Sequence, residues 1–279
     1  MEEKLKGNLI IIGGAEDKKG EKEILKEVCS KIDKENEKLV IATIATELPK
    51  EVGAEYTDIF KKLGVKNIDI LDIAQRDDAC RESNIALIKN ASLVFFTGGD
   101  QLRITSLVGG TPLYDALKQS VENGCVFVGT SAGASVVSDT MIITGEDEES
   151  PKKWTLKMSP GLGLIKDVII DQHFAQRGRI GRLLTGVAEN PESLGIGIDE
   201  DTAIMVNPKA EFQVIGSGAV YVIDGSSISY TNVSEQYPEE VLSMFDIKMH
   251  VLKCGDKFAL SERHPIKEDK QEENEDSRC

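Results

Sequence analysis

No apolar run in the 279 residues approaches the ~20 that a membrane-spanning helix needs. The first ten residues, MEEKLKGNLI, carry acids at positions 2 and 3 and only a short apolar stretch, so no secretory signal is expected. Positive charge is also scarce. Acidic residues outnumber basic ones 48 to 33, for a formal charge of −15, which argues against nucleic-acid binding and against a basic membrane-surface role. The five cysteines (Cys29, Cys80, Cys125, Cys254, Cys279) form no C-x-x-C pair. An odd, scattered set points to reduced thiols in a cytoplasm rather than to a disulfide framework or a zinc site. With only three histidines, no metal-ligand spacing arises, and no calcium-loop pattern is present. There is no G-x-x-x-x-G-K-S/T loop, and the first apolar run ends in Gly13-Gly14-Ala15-Glu16-Asp17 rather than in G-x-G-x-x-G. A nucleotide cofactor is therefore not expected, and no cofactor or metal is assigned.

What is present is enough apolar residue, 40%, to build a substantial core. Apolar β-branched runs alternate with helical patterns as far as residue 190. Leu9 to Ile12, Leu39 to Ile44, Asn67 to Leu71, Leu93 to Phe96 and Val126 to Val128 read as strands, with helix-patterned segments between them. Continuous apolar strands in a βαβ rhythm predict a mostly parallel sheet covered by helices on both faces. Beyond residue 190, Ile196 to Ile198, Ala203 to Val206, Phe212 to Ile215 and Ala219 to Ile223 are short runs joined by turns. They are expected to form an antiparallel extension of the same sheet. One α/β domain is expected over 1–261. The polar, charged segment 262–279 is expected to be a solvated tail.

Gly129-Thr130-Ser131-Ala132-Gly133 matches G-x-S-x-G between a strand and a helix, the setting in which a serine nucleophile projects from a tight turn. The Ala132 N–H that follows it can donate to an oxyanion, and the Gly98-Gly99 turn after the fourth strand can supply a second donor. His264 lies in the charged segment and His250 in a late strand pattern, which leaves His173, just past Val168-Ile169-Ile170, as the base. The third member of a triad is a carboxylate, and Glu149 and Glu200 both lie in acid-rich loops that qualify. Three of the eight arginines, Arg177, Arg179 and Arg182, crowd into six positions immediately after the base. Arginine's planar fork suits capture of carboxylate or phosphate, so the cluster reads as a substrate-anion site. Asp100 and Gln101, after the glycine pair, can touch polar groups of a substrate.

Together these residues carry a resemblance. Gly-Gly-Ala-Glu-Asp at 13–17, Phe-Thr-Gly-Gly-Asp-Gln at 96–101, Gly-Thr-Ser-Ala-Gly-Ala-Ser at 129–135, Ile-Asp-Gln-His-Phe-Ala-Gln-Arg-Gly-Arg-Ile-Gly-Arg at 170–182 and Gly-Ile-Gly-Ile-Asp-Glu-Asp-Thr-Ala at 195–203 resemble, in order and spacing, the cyanophycinases. These are part of the serine peptidase family that also includes peptidase E, the aspartyl dipeptidase. The resemblance runs from about residue 7 to about residue 225 and is most specific at 170–182.

It implies a three-layer α/β fold similar to class I glutamine amidotransferases, and a homodimer. It implies Ser131 as nucleophile, His173 as base and, by position between the two, Glu149 as the acid, with Glu200 as the alternative. Gln101, Asp171, Gln172, Arg177, Arg179 and Arg182 are the implied pocket residues. The implied substrate is cyanophycin, a poly-aspartate backbone with arginine on each side-chain carboxylate, released as β-aspartyl-arginine dipeptides through an acyl-enzyme. An aspartyl dipeptidase of the peptidase E type and a non-catalytic binder of acidic ligands are the rival readings. The arginine-rich segment argues against the first, and the intact serine and histidine argue against the second.

Overall fold

A computed structural model describes residues 8–145, 147, 150–152, 156–235 and 240–267. In chain order the elements are β1 (Leu9–Ile12), α1 (Glu23–Ser30), β2 (Lys38–Ala42), α2 (Pro49–Lys62), β3 (Asn67–Leu71), α3 (Glu82–Lys89), β4 (Leu93–Phe96), α4 (Gln101–Val108), α5 (Pro112–Glu122), β5 (Val126–Thr130) and α6 (Ala132–Ser135). There follow β6 (Thr140–Thr144), β7 (Lys157–Pro160), β8 (Val168–Gln172), α7 (Ile180–Glu189), β9 (Leu194–Ile198), β10 (Thr202–Val206), β11 (Glu211–Gly216) and β12 (Val220–Asp224). The last are β13 (Tyr230–Thr231), β14 (Met244–Phe245), β15 (Lys248–Leu252), β16 (Lys257–Ala259) and β17 (His264–Ile266).

The central sheet has nine strands in the order β17-β16-β11-β10-β1-β5-β4-β2-β3. Strands β1, β5, β4, β2 and β3 run parallel. The inner four carry the continuous apolar runs expected of buried parallel strands, whereas β3, at the edge, alternates as Asn-Ile-Asp-Ile-Leu and is largely uncovered. Successive residues of β1 point to opposite faces, and both faces are buried. Ile10 and Ile12 pack with Ile24, Leu25 and Val28 of α1 and Phe60 of α2. Leu9 and Ile11 belong to a larger core that takes in Ile85 and Ile88 of α3, Ile104 of α4 and Leu113 and Leu117 of α5. The chain is thus a mixed α/β protein built on one large sheet.

The antiparallel extension is real but differently composed. β10, β11, β16 and β17 continue the central sheet beyond β1. The runs at 194–198 and 220–224 do not. β9 pairs in parallel with β8, β12 pairs antiparallel with β9, and β15 closes a second sheet in the order β15-β12-β9-β8. Apolar β-branched runs have the same pattern in either sheet, so the sequence could not divide them. Within the segment expected as a charged tail, His264–Ile266 pair with Lys257–Ala259 as the edge strand of the central sheet.

β9 reads Leu-Gly-Ile-Gly-Ile, and this alternation explains the position of the second sheet. Ile196 and Ile198 face the core shared with the central sheet. Gly195 and Gly197 turn the other way, where Leu183 and Val187 of α7 and the Phe174 ring lie against bare backbone. A Cβ on Gly197 would fall 2.5–2.6 Å from Phe174 ring atoms. Gly197→Ala is accordingly expected to lower stability by about 1–3 kcal/mol through overpacking, measured as a fall in Tm with the sheet signal in circular dichroism retained.

Candidate active site

β5 is buried along its length and delivers Ser131 at its carboxyl end. The Ser131 backbone has φ 53° and ψ −110°, a strained conformation for a residue with a side chain. Its N–H donates to the Ile12 carbonyl at 3.1 Å, and its own carbonyl accepts from Ala134 and Ser135 N–H at 3.0 Å each. The turn is therefore fixed on both sides while the hydroxyl projects beyond the strand. Ala132 opens α6 directly behind it. Gly98 lies beside it, since a Cβ there would stand 3.3 Å from Ser131 Cβ.

β8, from the second sheet, ends in Gln172, and His173 follows with φ 50°. The His173 N–H donates to Gly13 O at 2.8 Å, so the end of β8 is tied to the end of β1 in the other sheet. This tie brings Ser131 Oγ to 3.0 Å from His173 Nε2. On the other side of the ring, Nδ1 lies 2.7 Å from Glu200 Oε1. A carboxylate only accepts here, so Nδ1 carries the proton and Nε2 is free to accept one from the serine. Glu200 sits in the turn between β9 and β10. Its backbone N–H donates to Gln176 Oε1 at 3.0 Å.

Burial is the main influence on the imidazole and pushes its pKa below the ordinary histidine value. The hydrogen bond to Glu200 and its charge oppose this, while the charges of Arg177 and Arg179 add to it. The imidazole is thus biased toward its neutral form, oriented by a carboxylate and in contact with a hydroxyl, an arrangement able to take a proton from that hydroxyl.

Glu200 thus occupies the place beside Nδ1. Glu149, the acid placed first by the resemblance, lies outside the described residues. The three arginines divide into two groups. Arg179 and Arg182 are buried and committed to internal carboxylates, whereas Arg177 is exposed. Asp171, 1% exposed, accepts from Arg182 Nε at 2.7 Å, from Arg182 Nη2, and more distantly from Arg179 Nη1 at 3.4 Å. Asp147 Oδ1 accepts from Arg179 Nε at 3.0 Å and from Arg182 Nη1 at 3.1 Å. Arg179 Nη1 also donates to Gln172 O at 2.6 Å. Asp171 is therefore occupied by arginines of its own chain. Gln101 Nε2 donates to the Ile142 and Ile143 carbonyls, which joins α4 to β6. Gln172 is buried, and its Oε1 has no hydrogen-bond partner among the described residues.

Two contributors escaped the sequence reading as individuals. Gln176 falls inside a quoted motif but carries no signal of its own. Glu16, also within a motif, is a buried acid that sequence patterning cannot tell from a surface one. Among the described residues, no group of three or more His, Cys, Asp or Glu is arranged to hold a metal ion. No helix among them is long and apolar enough to cross a membrane. A cavity of about 880 Å³ opens at the opposite ends of the strands, beside Val168, Leu194 and Val206, and touches none of the groups above.

The chain is 37% identical over 267 residues to a cyanophycinase of Geminocystis herdmanii (strain PCC 6308), covering 95% of this chain and 98% of the relative. It is 38% identical over 257 residues to a cyanophycinase of Trichormus variabilis, covering 91% and 86%. In structure it is similar to a peptidase from an acI-B1 Actinobacterium, with a TM-score of 0.64 and 22% identity over 91% of this chain and 97% of the other, which bears on the fold alone. The model of peptidase family S51 matches residues 9–215. Over that span and at those identities, the chain belongs to peptidase family S51.

Proposed function

We propose that this protein is a serine peptidase that hydrolyses cyanophycin to β-aspartyl-arginine dipeptides. The observation that carries the reading is the Ser131–His173–Glu200 relay, in a chain that is alike over nearly its whole length to proteins named cyanophycinase. Ser131 Oγ attacks a backbone aspartyl carbonyl and passes its proton to His173 Nε2. Glu200 holds the ring in the tautomer that can accept this proton and stabilises the imidazolium that forms. The oxyanion is met by the N–H of Ala132 and by N–H groups of the Gly98-Gly99 turn. His173 then gives the proton to the leaving amine, which leaves an ester on Ser131. Water, deprotonated by the same imidazole, hydrolyses that ester and regenerates the serine.

The substrate's charged groups need partners in the pocket. Arg177, exposed beside the base, is the arginine free to meet a carboxylate. Asp171, Arg179 and Arg182 form a rigid wall whose outer edge meets Asp147. Gln101 and the unsatisfied Gln172 complete the wall. Asp100, exposed at the head of α4, is the acid we assign to the guanidinium.

Three further readings belong to the same proposal. The fold is class I glutamine amidotransferase-like, on the strength of a nucleophile placed after a central parallel strand between layers. The protein is cytoplasmic, consistent with free thiols at all four described cysteines. It is a homodimer, and exposed Phe245, Met249 and Val251 near the open edge of the second sheet suit an interface.

Incubation with insoluble cyanophycin, followed by mass analysis of the soluble fraction, is expected to yield the dipeptide. Ser131→Ala should lose on the order of 10⁴-fold or more in kcat while keeping the fold; retained hydrolysis would remove Ser131 from its role. Glu200→Gln should lose about 10³- to 10⁴-fold, whereas Glu149→Gln should stay near wild type in the same assay. The acid limb of kcat/KM against pH should lie below the ordinary histidine range, because burial depresses His173. Arg177→Ala removes a positive charge that helps depress it, so the limb should move to higher pH.

A further inference from the structure

Outside the relay, the most unusual titratable group is Glu16. It is 3% exposed, and among the described residues no arginine or lysine is a hydrogen-bond partner. One oxygen accepts from Tyr56 OH on α2. The other accepts from Thr130 Oγ1 at 2.6 Å. Thr130 is itself 2% exposed and is the residue immediately before the nucleophile. Burying a carboxylate is costly unless it is well bonded, so this one requires a reason to be where it is.

The reason is visible in what else the Gly13–Asp17 turn holds. Gly13 O takes the His173 N–H. Gly14 lies flat against the imidazole, where any Cβ would overlap Cε1 and Nε2. Gly14 O accepts from Asp201 N–H at 2.9 Å, and Asp17 N–H donates to Asp201 Oδ1 at 2.9 Å, which fixes the neighbour of Glu200. One turn thus touches the serine side, the histidine and the acid side of the relay. Its side-chain link to the serine is the Glu16–Thr130 hydrogen bond, which adds to the backbone bond from Ser131 N–H to Ile12 O at the start of the turn. Ser131 is strained and needs such a restraint from its surroundings.

We infer that Glu16 is a positioning residue, a buried carboxylate that locks the Gly13–Asp17 turn to the nucleophile strand through Thr130 and to α2 through Tyr56. It touches no reacting atom. It keeps Ser131 Oγ at the distance from His173 that proton transfer requires. This inference rests on the reading of Ser131 as nucleophile.

The test uses the full chain, with cyanophycin turnover and, independently of that polymer, labelling of Ser131 by a fluorophosphonate followed as intact mass. Wild type that neither turns over nor labels would overturn the underlying reading, and this inference with it. With wild type active, Glu16→Ala is expected to lower kcat about 10²-fold, the scale of a misplacement near 1 Å. KM should change by less than about 3-fold, with labelling slowed in parallel, at temperatures where the variant is folded by circular dichroism. Glu16→Gln, which keeps both links by reversing one donor, should recover most of the loss. Thr130→Val should reproduce it, and the Glu16→Ala/Thr130→Val double variant should lose no more than either single variant. Lowered Tm with wild-type kcat and labelling, or additive losses in the double variant, would overturn the inference. Should Glu16→Ala not fold, an unchanged kcat in Thr130→Val does so on its own.

Discussion

The 3.0 Å contact between Ser131 Oγ and His173 Nε2 joins residues from two different sheets. Hydrogen-bond geometry tolerates only a few tenths of an ångström before it weakens. The sheets must therefore be held in register at one point with more accuracy than packing alone gives. A large shared core brings them together: Leu9, Ile11 and Phe127 of the central sheet pack in the same cluster as Ile170, Ile196 and Ile198 of the second. The final adjustment is made by directional bonds at the carboxyl ends of the strands, above all His173 N–H to Gly13 O. Position follows from apolar burial and precision from the hydrogen bonds at the edge.

Charge around the His173 imidazole is organised on the same principle. Two arginines and two aspartates form a cluster directly behind Gln172 and His173, with Asp171 at its centre. Such a cluster contributes little net stability because desolvation offsets most of the attraction. Its value here is geometric and electrostatic. It fixes the backbone just before His173, since Arg179 also holds the Gln172 carbonyl. Positive charge from Arg177 and Arg179 also favours the neutral imidazole.

Much of this could be read in the residues. The alternation of apolar runs and helical patterns identifies the parallel strands, because strands buried on both faces need unbroken apolar sequence. Ser131 stands out because a nucleophile turn demands small neighbours, and His173 stands out by the poverty of alternatives. The division into two sheets is hidden, since β9 and β10 have similar apolar character and only their pairing separates them. Residue type alone does not separate Glu149 from Glu200, because both are acids in loops, and a triad does not depend on sequence order. Arg179 and Arg182 look like free cations in the sequence. Their commitment to Asp171 and Asp147 depends on the chain reversal from β8 into α7 that brings 171, 179 and 182 together, and on a loop 32 and 35 residues away from the two arginines. Glu16 was invisible as an individual because acids are usually solvated, and nothing local announces that this one is enclosed by α2 and β5.

Ser131 and His173 both adopt backbone angles at positive φ, where a side chain is sterically disfavoured. Glycine at either position would relieve that strain. Under the proposed roles of Ser131 and His173, a laboratory selection that rewards heat resistance alone would therefore drift toward inert variants, because the folding landscape itself favours replacing both residues. Stabilising this scaffold without silencing it calls for changes elsewhere, at surface helices and loops remote from the strand ends.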